Sequence, residues 1–340
     1  MARGSSLEPA LGFEPVAITT RSGRRESIHH AALVALSADG SVAFAIGNPD
    51  VAVYPRSSIK PLQAFAMVEN GLDLPDELLA LVCASHDGER RHLDGARRIL
   101  HSVGLDESSL LNTADWPLDS SSMEDAVRSG GAKSPLQQNC SGKHAGMLAT
   151  CRVNGWDVSS YLDEDHPLQR RITDSIPGLT GSPVVGIGVD GCGAPAHVVS
   201  LVGLAKAFRA MATGEAGVVG ERVHRAMTSY PIMVGGPRRD VTLIMQGIDG
   251  LMAKDGAEGV FAAALPDGRA VALKIADGSN RARPPLMHAA LRALGVDVTG
   301  VDPSAWISPV LGHGRRVGEV RIVGSLAEFD SSDLAPIVDE

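Results

Sequence analysis

The sequence has few aromatic residues, few cysteines and no long apolar run. Aromatic side chains make up 4% of the 340 residues, and there are four cysteines. Four cysteines are too few for a disulfide framework in a chain of this size, so we expect free thiols or a metal site in a reducing compartment. No segment reaches about 18 uncharged apolar residues, and Met1–Pro15 has no apolar run of signal-peptide length. We therefore expect a cytoplasmic protein that does not associate with a membrane.

The sequence also lacks the basic surplus that nucleic-acid binding requires. It carries 31 Lys and Arg against 40 Asp and Glu, a net charge of −9. The one short basic cluster, formed by Arg21, Arg24 and Arg25, is too small to supply a phosphate-binding face. Hydrophobic residues at 44% and charged residues at 21% are typical of a folded enzyme.

The order of the predicted elements indicates the fold class. We expect strands near both ends of the chain, including Ala31–Leu36, Val42–Ile46 and Arg269–Ile275, and helices in the middle, with no strand–helix–strand alternation. This order predicts an α+β protein, with an antiparallel sheet built from the terminal segments and helices packed on it. We expect one catalytic unit over residues 1–340. It divides into a sheet-helix part (about 15–56 and 230–330) and a helical part (about 57–229).

Three further segments have weaker patterns. Ser120–Ser134 is rich in Ser, Gly and Ala and is expected to form a loop. Val184–Val189 is expected to be a buried strand. Ala196–Met211 repeats apolar residues with helical period and is expected to be a helix throughout.

The segment Arg56-Ser57-Ser58-Ile59-Lys60 contains the strongest chemical signal. A serine and a lysine three residues apart share one face of a helix, so an uncharged Lys60 is positioned to take the proton of Ser57. A Ser-x-x-Lys pair marks the nucleophile of penicillin-binding proteins and class A β-lactamases. The pattern is short, and Ser57 as a helix N-cap explains it equally well in isolation.

A second serine and a second lysine extend this pattern. Ser85 lies where an apolar helix runs into the polar loop Ser85-His86-Asp87-Gly88. Lys274 is surrounded by six apolar residues in Ala270-Val271-Ala272-Leu273-Lys274-Ile275-Ala276, within the expected strand Arg269–Ile275, and burial lowers the pKa of an amine enough to make it a base. An edge-strand lysine that discourages aggregation is the alternative explanation for Lys274.

Two glycine-containing turns each carry a thiol. One is Asn139-Cys140-Ser141-Gly142-Lys143-His144, and the other is Asp190-Gly191-Cys192-Gly193. Two thiolates and the Asp190 carboxylate are suitable zinc ligands, with Lys143 as an unusual fourth. Two buried structural cysteines are the plain alternative. A third possibility makes Cys140 a nucleophile activated by Lys143 or His144.

Taken together, five segments resemble the rhizobial-type (class 3) L-asparaginase family, over about Glu26 to Leu294. They are Arg56-Ser57-Ser58-Ile59-Lys60-Pro61-Leu62-Gln63-Ala64, Ala84-Ser85-His86-Asp87-Gly88-Glu89, Asn139-Cys140-Ser141-Gly142-Lys143-His144-Ala145-Gly146-Met147, Asp190-Gly191-Cys192-Gly193-Ala194-Pro195 and Lys254-Asp255-Gly256-Ala257-Glu258-Gly259-Val260. One departure is Thr113-Ala114-Asp115-Trp116-Pro117, where relatives often carry a Cys-Gly dipeptide before Trp-Pro.

The resemblance implies a fold like that of serine β-lactamases, penicillin-binding proteins and glutaminases, and a homodimer that hydrolyses L-asparagine to aspartate and ammonia. It implies two catalytic pairs, Ser57 with Lys60 and Ser85 with Lys274. It also implies a zinc site beside the substrate, and that site consists of Cys140, Lys143, Asp190 and Cys192. The metal is expected to assist substrate binding rather than to activate water.

We therefore expect an acyl-enzyme on Ser57, with Ser85 and Lys274 relaying a proton to ammonia, although Ser85 as nucleophile stays open. Arg56 or His144 is expected to hold the α-carboxylate of the substrate. A Cys140-dependent amidohydrolase and a non-enzymatic asparagine-binding sensor are the alternatives. A β-lactamase is less favoured, because Lys274-Ile275-Ala276 replaces the lysine-threonine-glycine motif of that class.

Overall fold

The structure is a computed structural model that describes residues 12–331. The predicted absence of a signal sequence concerns residues that lie mostly outside this range. The strands are β1 (Glu14–Arg21), β2 (Arg24–Leu36), β3 (Val42–Ile46), β4 (Ala52–Val53), β5 (Gly186–Val189), β6 (Pro195–Ser200), β7 (Met252–Gly256), β8 (Val260–Ala264), β9 (Ala270–Ile275), β10 (Pro309–Gly312) and β11 (Arg315–Ile322). The helices are α1 (Lys60–Glu69), α2 (Asp76–Val82), α3 (Arg90–Ser102), α4 (Ser120–Arg128), α5 (Ser141–Asn154), α6 (Pro167–Thr180), α7 (Leu201–Thr213), α8 (Gly217–Ser229), α9 (Pro231–Val234), α10 (Asp240–Gly247) and α11 (Arg283–Ala293).

The main sheet joins strands from the two ends of the chain. Its order is β10-β11-β1-β2-β9-β8-β7, β3 also pairs with β2, and every pairing is antiparallel. The second half of β2, Ala31–Leu36, is completely buried because β9 and β3 both pair with it. Continuous apolar sequence therefore forms a central strand here. The predicted α+β class is confirmed.

Helices from the middle of the chain pack on the sheet and on one another. Helices α7 and α11 contact β9, whereas α1, α2, α5, α6 and α8 form a connected cluster. A 3-10 turn, Arg56–Ile59, precedes α1 and contacts β7, the last strand of the main sheet. The start of α1 is thereby held against the sheet edge.

Three local predictions were wrong. Ser120–Ser134 is not all loop, because the Asp119 side chain caps the backbone N–H of Ser122 and starts α4. Ala196–Met211 is divided: the first part forms β6, and the Ser200 side chain then caps α7. The strand within Val184–Val189 is not buried, since Val189 is 82% exposed.

None of the helices within residues 12–331 combines the length and the apolar character required to cross a bilayer. The four cysteines are all free and buried. The subdivision of the chain stays a prediction.

Candidate active site

The start of α1 presents one side chain to a cleft and turns another inward. Ser57 lies in the 3-10 turn, is partly exposed and lines a cleft of about 550 Å³. Lys60 is the first residue of α1, and Pro61 is the second. Proline is accepted in the first helical turn because a backbone N–H at that position would have no partner within the helix. Lys60 is 1% exposed. The predicted pair therefore lies at the start of α1, with its hydroxyl at the surface of the cleft and its amine below.

The amine of Lys60 contacts the second serine. Lys60 Nζ donates to Ser85 Oγ at 3.1 Å and to the Ala84 carbonyl at 2.5 Å. The Lys60 backbone N–H donates to the Ser57 carbonyl, but no hydrogen bond joins the Ser57 hydroxyl to the Lys60 amine among the described residues. Ser85 lines the same cleft as Ser57 and is 5% exposed. The two predicted serines are thus brought to one cleft, and Lys60 reaches the more buried one.

A second buried amine, which the sequence analysis missed, also contacts Ser85. Lys254 Nζ donates to Ser85 Oγ at 3.0 Å and to Asp255 Oδ1 at 2.6 Å. Burial lowers the pKa of Lys254 to about 8, and the charge of Lys60 acts in the same direction, although Asp255 opposes both. Ser85 therefore lies between two lysine amines that are both removed from solvent.

Lys274 does not take the place predicted for it. Its Nζ donates to the carbonyls of Glu258 at 2.6 Å and Ile275 at 2.7 Å, at the end of β9. The amine is only half buried, and it lines a different cavity, beside Tyr54. The apolar neighbours of Lys274 in the sequence belong to a buried strand, but its own side chain leaves the sheet near the strand end. The pairing of Ser85 with Lys274 is thus corrected: the lysine paired with Ser85 is Lys254.

The signal that could have identified Lys254 was present in the sequence. Lys254 belongs to Lys254-Asp255-Gly256, which forms part of the resemblance, and it follows the apolar residues Met252 and Ala253. All five residues of β7 are buried. In the fold, the Asp255 carboxylate lies 2.6 Å from the Lys254 amine and is the charge partner that a buried amine requires.

A glycine allows the sheet to approach the start of α1. A Cβ on Gly256, in β7, would lie 2.4 Å from the Pro55 carbonyl oxygen and 2.9 Å from Ser58 Oγ. Ser58 Oγ also donates to the Lys254 carbonyl at 3.0 Å. These contacts fix the turn that carries Ser57 relative to the strand that carries Lys254.

Three arginines and three carboxylates line the remainder of the cleft in ion pairs. Arg239 bonds Asp255 at 2.6 Å and Asp87 at 3.3 Å, and Arg238 bonds Asp119 at 2.8 Å. Arg283, the third arginine of the cleft, lies 3.5 Å from Asp255.

The predicted metal ligands form a cluster behind Lys60. Cys192 Sγ lies 3.2 Å from Lys143 Nζ and 3.7 Å from Asp190 Oδ2, and it shares a hydrogen bond with Cys140. Two elements bring these residues together: α5, which begins after Cys140, and the turn between β5 and β6, where Gly193 has a φ of +90°. Within residues 12–331, no three His, Cys, Asp or Glu side chains converge closely enough to hold a metal ion.

The charges of this cluster are strongly coupled. The hydrogen bond with Cys140 lowers the pKa of Cys192 to about 5, with the Lys143 charge acting in the same direction. The same hydrogen bond, together with burial, raises the pKa of Cys140 to about 12. Burial opposes the charge of Lys143, but the thiols and Asp190 outweigh it and raise the pKa of that amine. Cys140 is therefore poorly suited to be an activated nucleophile.

The two residues predicted to bind the substrate, Arg56 and His144, lie beside the cluster of predicted metal ligands. Arg56 has a φ of +52°, and its Nε bonds Asp190 Oδ1 at 2.8 Å. It lines a small cavity together with Lys60. His144 is completely buried, its Nδ1 lies 2.9 Å from the Tyr161 hydroxyl, and burial holds its pKa well below the usual value.

Together these features define an α+β protein with a serine–lysine site where the edge of its sheet meets its helical part. Comparison with known proteins then identifies the family. The family model described as L-asparaginase II matches residues 17–322. The chain belongs to this family, which confirms the predicted enzyme class, an L-asparaginase-type hydrolase. No curated protein matches the chain.

Several solved structures are similar to the chain at low sequence identity and low TM-score. A β-lactamase from Mycobacterium bovis is 15% identical, with a TM-score of 0.37 over 78% of this chain and 94% of that one. The native form of Mglu is 14% identical, with a TM-score of 0.39 over 79% of this chain and 66% of that one. A simvastatin synthase from Aspergillus terreus is 13% identical, with a TM-score of 0.35 over 72% and 84% of the respective chains.

Proposed function

We propose that the protein is an L-asparagine amidohydrolase that releases aspartate and ammonia through an acyl-enzyme on Ser57. Family membership supports the reaction. The observation that supports the mechanism is the contact of Ser85 Oγ with two buried amines, in a cleft that Ser57 also lines. Ser57 is the proposed nucleophile because its hydroxyl is the more accessible of the two serines that line the cleft.

The two lysines have different proposed protonation states. Both amines lie about 3 Å from one oxygen, so they are at most about 6 Å apart, and two positive charges at that separation oppose each other. Lys254 has the Asp255 carboxylate as a partner, whereas the partners of Lys60 are a carbonyl and a hydroxyl. The proposed assignment is therefore a charged Lys254 and an uncharged Lys60 that acts as the base.

The proposed reaction has two stages. Ser57 Oγ forms a bond to the side-chain amide carbon of asparagine while Lys60 takes the hydroxyl proton. That proton passes through Ser85 to the amide nitrogen, the C–N bond breaks, and ammonia leaves. Water then attacks the ester and gives a proton to Lys60, the C–O bond to Ser57 breaks, and Ser57 regains its proton as aspartate departs. Backbone N–H groups at the start of α1 are proposed to stabilise the oxyanion, at roughly 3 to 4 kcal/mol per donor.

Zinc is the proposed metal of the cluster of Cys140, Lys143, Asp190 and Cys192. The donor chemistry fits, because zinc prefers thiolate with nitrogen or carboxylate ligands and Cys192 already contacts the other three side chains. Lys143 would have to lose its proton on binding. A bound zinc ion would supply positive charge near Lys60. Arg56 or His144, which both border this cluster, is proposed to hold the α-carboxylate of the substrate.

An ammonia-release assay on asparagine and glutamine, with and without a chelator, tests the proposed function. We expect ammonia from asparagine. Asparagine binding in calorimetry without any ammonia would instead support a sensor. The proposal also includes a homodimer in the cytoplasm, and light scattering of the purified protein tests the dimer.

A further inference from the structure

Asp255 is a fully buried carboxylate whose two oxygens bind different partners. Its Oδ1 accepts from Lys254 at 2.6 Å, and its Oδ2 accepts from Arg239 at 2.6 Å and lies 3.5 Å from Arg283. Burial opposes the charge of this carboxylate, but the three cations outweigh burial and hold its pKa well below the usual value. Asp255 is therefore a permanent anion that several cations share.

The two guanidiniums are themselves restrained by carboxylates. Arg239 also bonds Asp87, and Arg283 bonds Asp240 at 2.7 Å while its guanidinium lies over the Phe261 ring at 5.3 Å. Because these partners hold the arginines in place, Asp255 cannot turn both of its oxygens toward Lys254. The Lys254 amine therefore interacts with one of the two carboxylate oxygens of Asp255 instead of both.

Within residues 12–331, Asp255 is the one carboxylate that forms a salt bridge with Lys254. The titratable and polar groups that face it, taken element by element, are Lys60 from α1, Cys83 and Ser85 after α2, Asp255 from β7 and Arg239 before α10. Arg283 from α11 contacts Asp255. Only Asp255 among these favours a charge on Lys254 through a salt bridge. Lys60 and Arg239 disfavour it.

We propose that Asp255 is a positioning residue that stabilises the protonated form of Lys254, so that Lys60 stays uncharged and can act as the base. Arg239 weakens this stabilisation because it binds the same carboxylate. This inference rests on the proposed function. Neither Asp255 nor Arg239 is required to touch the reacting atoms for this role. Each acts through the Lys254 amine.

This role predicts that two substitutions shift the pKa of Lys254 in opposite directions. Asp255→Asn removes the charge that favours protonated Lys254, so the amine should lose its proton at lower pH. Arg239→Gln leaves Asp255 Oδ2 with Arg283 as its one remaining guanidinium partner and removes a nearby positive charge, so Lys254 should stay protonated to higher pH. Since an adjacent charge moves a pKa by about 1 unit or more, each shift should be about one pH unit.

Two measurements follow these shifts separately. In protein with 13C-labelled lysine, the Cε resonance of Lys254, assigned by its absence in Lys254→Met, reports protonation without any substrate. The pH profile of kcat reports the catalytic effect. With Lys254 titrating near pH 8, kcat should fall as pH rises through that region. The pH at which kcat falls should be lower in Asp255→Asn, and higher in Arg239→Gln, than in the wild-type protein.

The surface pair of Arg225 and Asp76 provides matched controls, since Arg225→Gln and Asp76→Asn make the same chemical changes far from the cleft. Both controls should leave the Lys254 resonance and the profile of kcat unchanged. If Asp255→Asn fails to fold, Arg239→Gln alone still tests the direction. A uniform loss of kcat with an unshifted resonance would assign these residues a structural role and overturn the inference. A wild-type protein that titrates as expected but releases no ammonia would refute the proposed function instead.

Discussion

Lys254 Nζ lies 3.0 Å from Ser85 Oγ, although 169 positions separate the two residues in the chain. Ser85 ends the segment that follows α2, whereas Lys254 lies in the edge strand β7. The contact joins the helical part of the protein to its sheet at the cleft. It also replaces the partner that the sequence suggested for Ser85.

The first prediction separates the two serines. We expect Ser57→Ala to reduce ammonia release at least about 1000-fold, because no acyl-enzyme can form on alanine. Ser85→Ala should slow the reaction while leaving a trappable adduct on Ser57. Mass spectrometry after rapid acid quenching locates the adduct, and circular dichroism checks that both variants fold. An adduct found on Ser85 would reverse the assignment.

The second prediction compares two lysines. Lys254→Met should lower kcat about 100-fold, since it removes the charged donor to Ser85 while keeping a side chain of similar length. Lys274→Met should stay within about threefold of wild type, because that amine bonds only two carbonyls among the described residues. The stability cost should be small for Lys274→Met, as for most substitutions outside a buried network. Equal losses of kcat in the two variants would restore Lys274 as a catalytic residue.

The third prediction concerns the metal. Purified protein should contain zinc by elemental analysis, and Cys192→Ser should lose it, because Cys192 contacts each of the other proposed ligands. The same change should raise KM about tenfold, equal to about 1.4 kcal/mol of binding free energy, with a smaller effect on kcat. Cys151→Ser is the matched control, since that thiol is buried elsewhere in α5. Wild-type protein free of zinc with a normal KM would remove the metal from the proposal.

The fourth prediction tests the close approach of β7 to α1. Gly256→Ala should cost about 1 to 3 kcal/mol of unfolding free energy and most of the activity, because its Cβ would collide with the Pro55 carbonyl. Gly178→Ala is the control, since no atom lies within 4 Å of the added Cβ and alanine favours the helix. Urea unfolding and ammonia release measure the two effects. Wild-type activity in Gly256→Ala would show that the turn tolerates displacement from the strand.

The sequence alone determined the chemistry available and the general architecture of this protein. Apolar runs such as Ala31–Leu36 identify central strands because burial on both faces requires continuous apolar residues. The position of Ser57 and Lys60 at the start of a helix is local and could be predicted from their segment, but the contact of the Lys60 amine with Ser85 could not. The thiol turns at Cys140 and Cys192 were found because each carries glycine beside an unusual set of side chains.

Only the tertiary structure decided which distant groups meet. Lys254 and Lys274 both follow apolar residues in strands, and although Lys254 belongs to a segment of the family resemblance, neither segment reports the direction in which its amine leaves the sheet. The antiparallel order of the sheet puts β7 at its edge beside the turn that precedes α1, and β9 next to β2 in its centre. Strand order is set by long-range packing across the whole core, which local patterns do not encode. For that reason the second lysine of the site was decided by the fold.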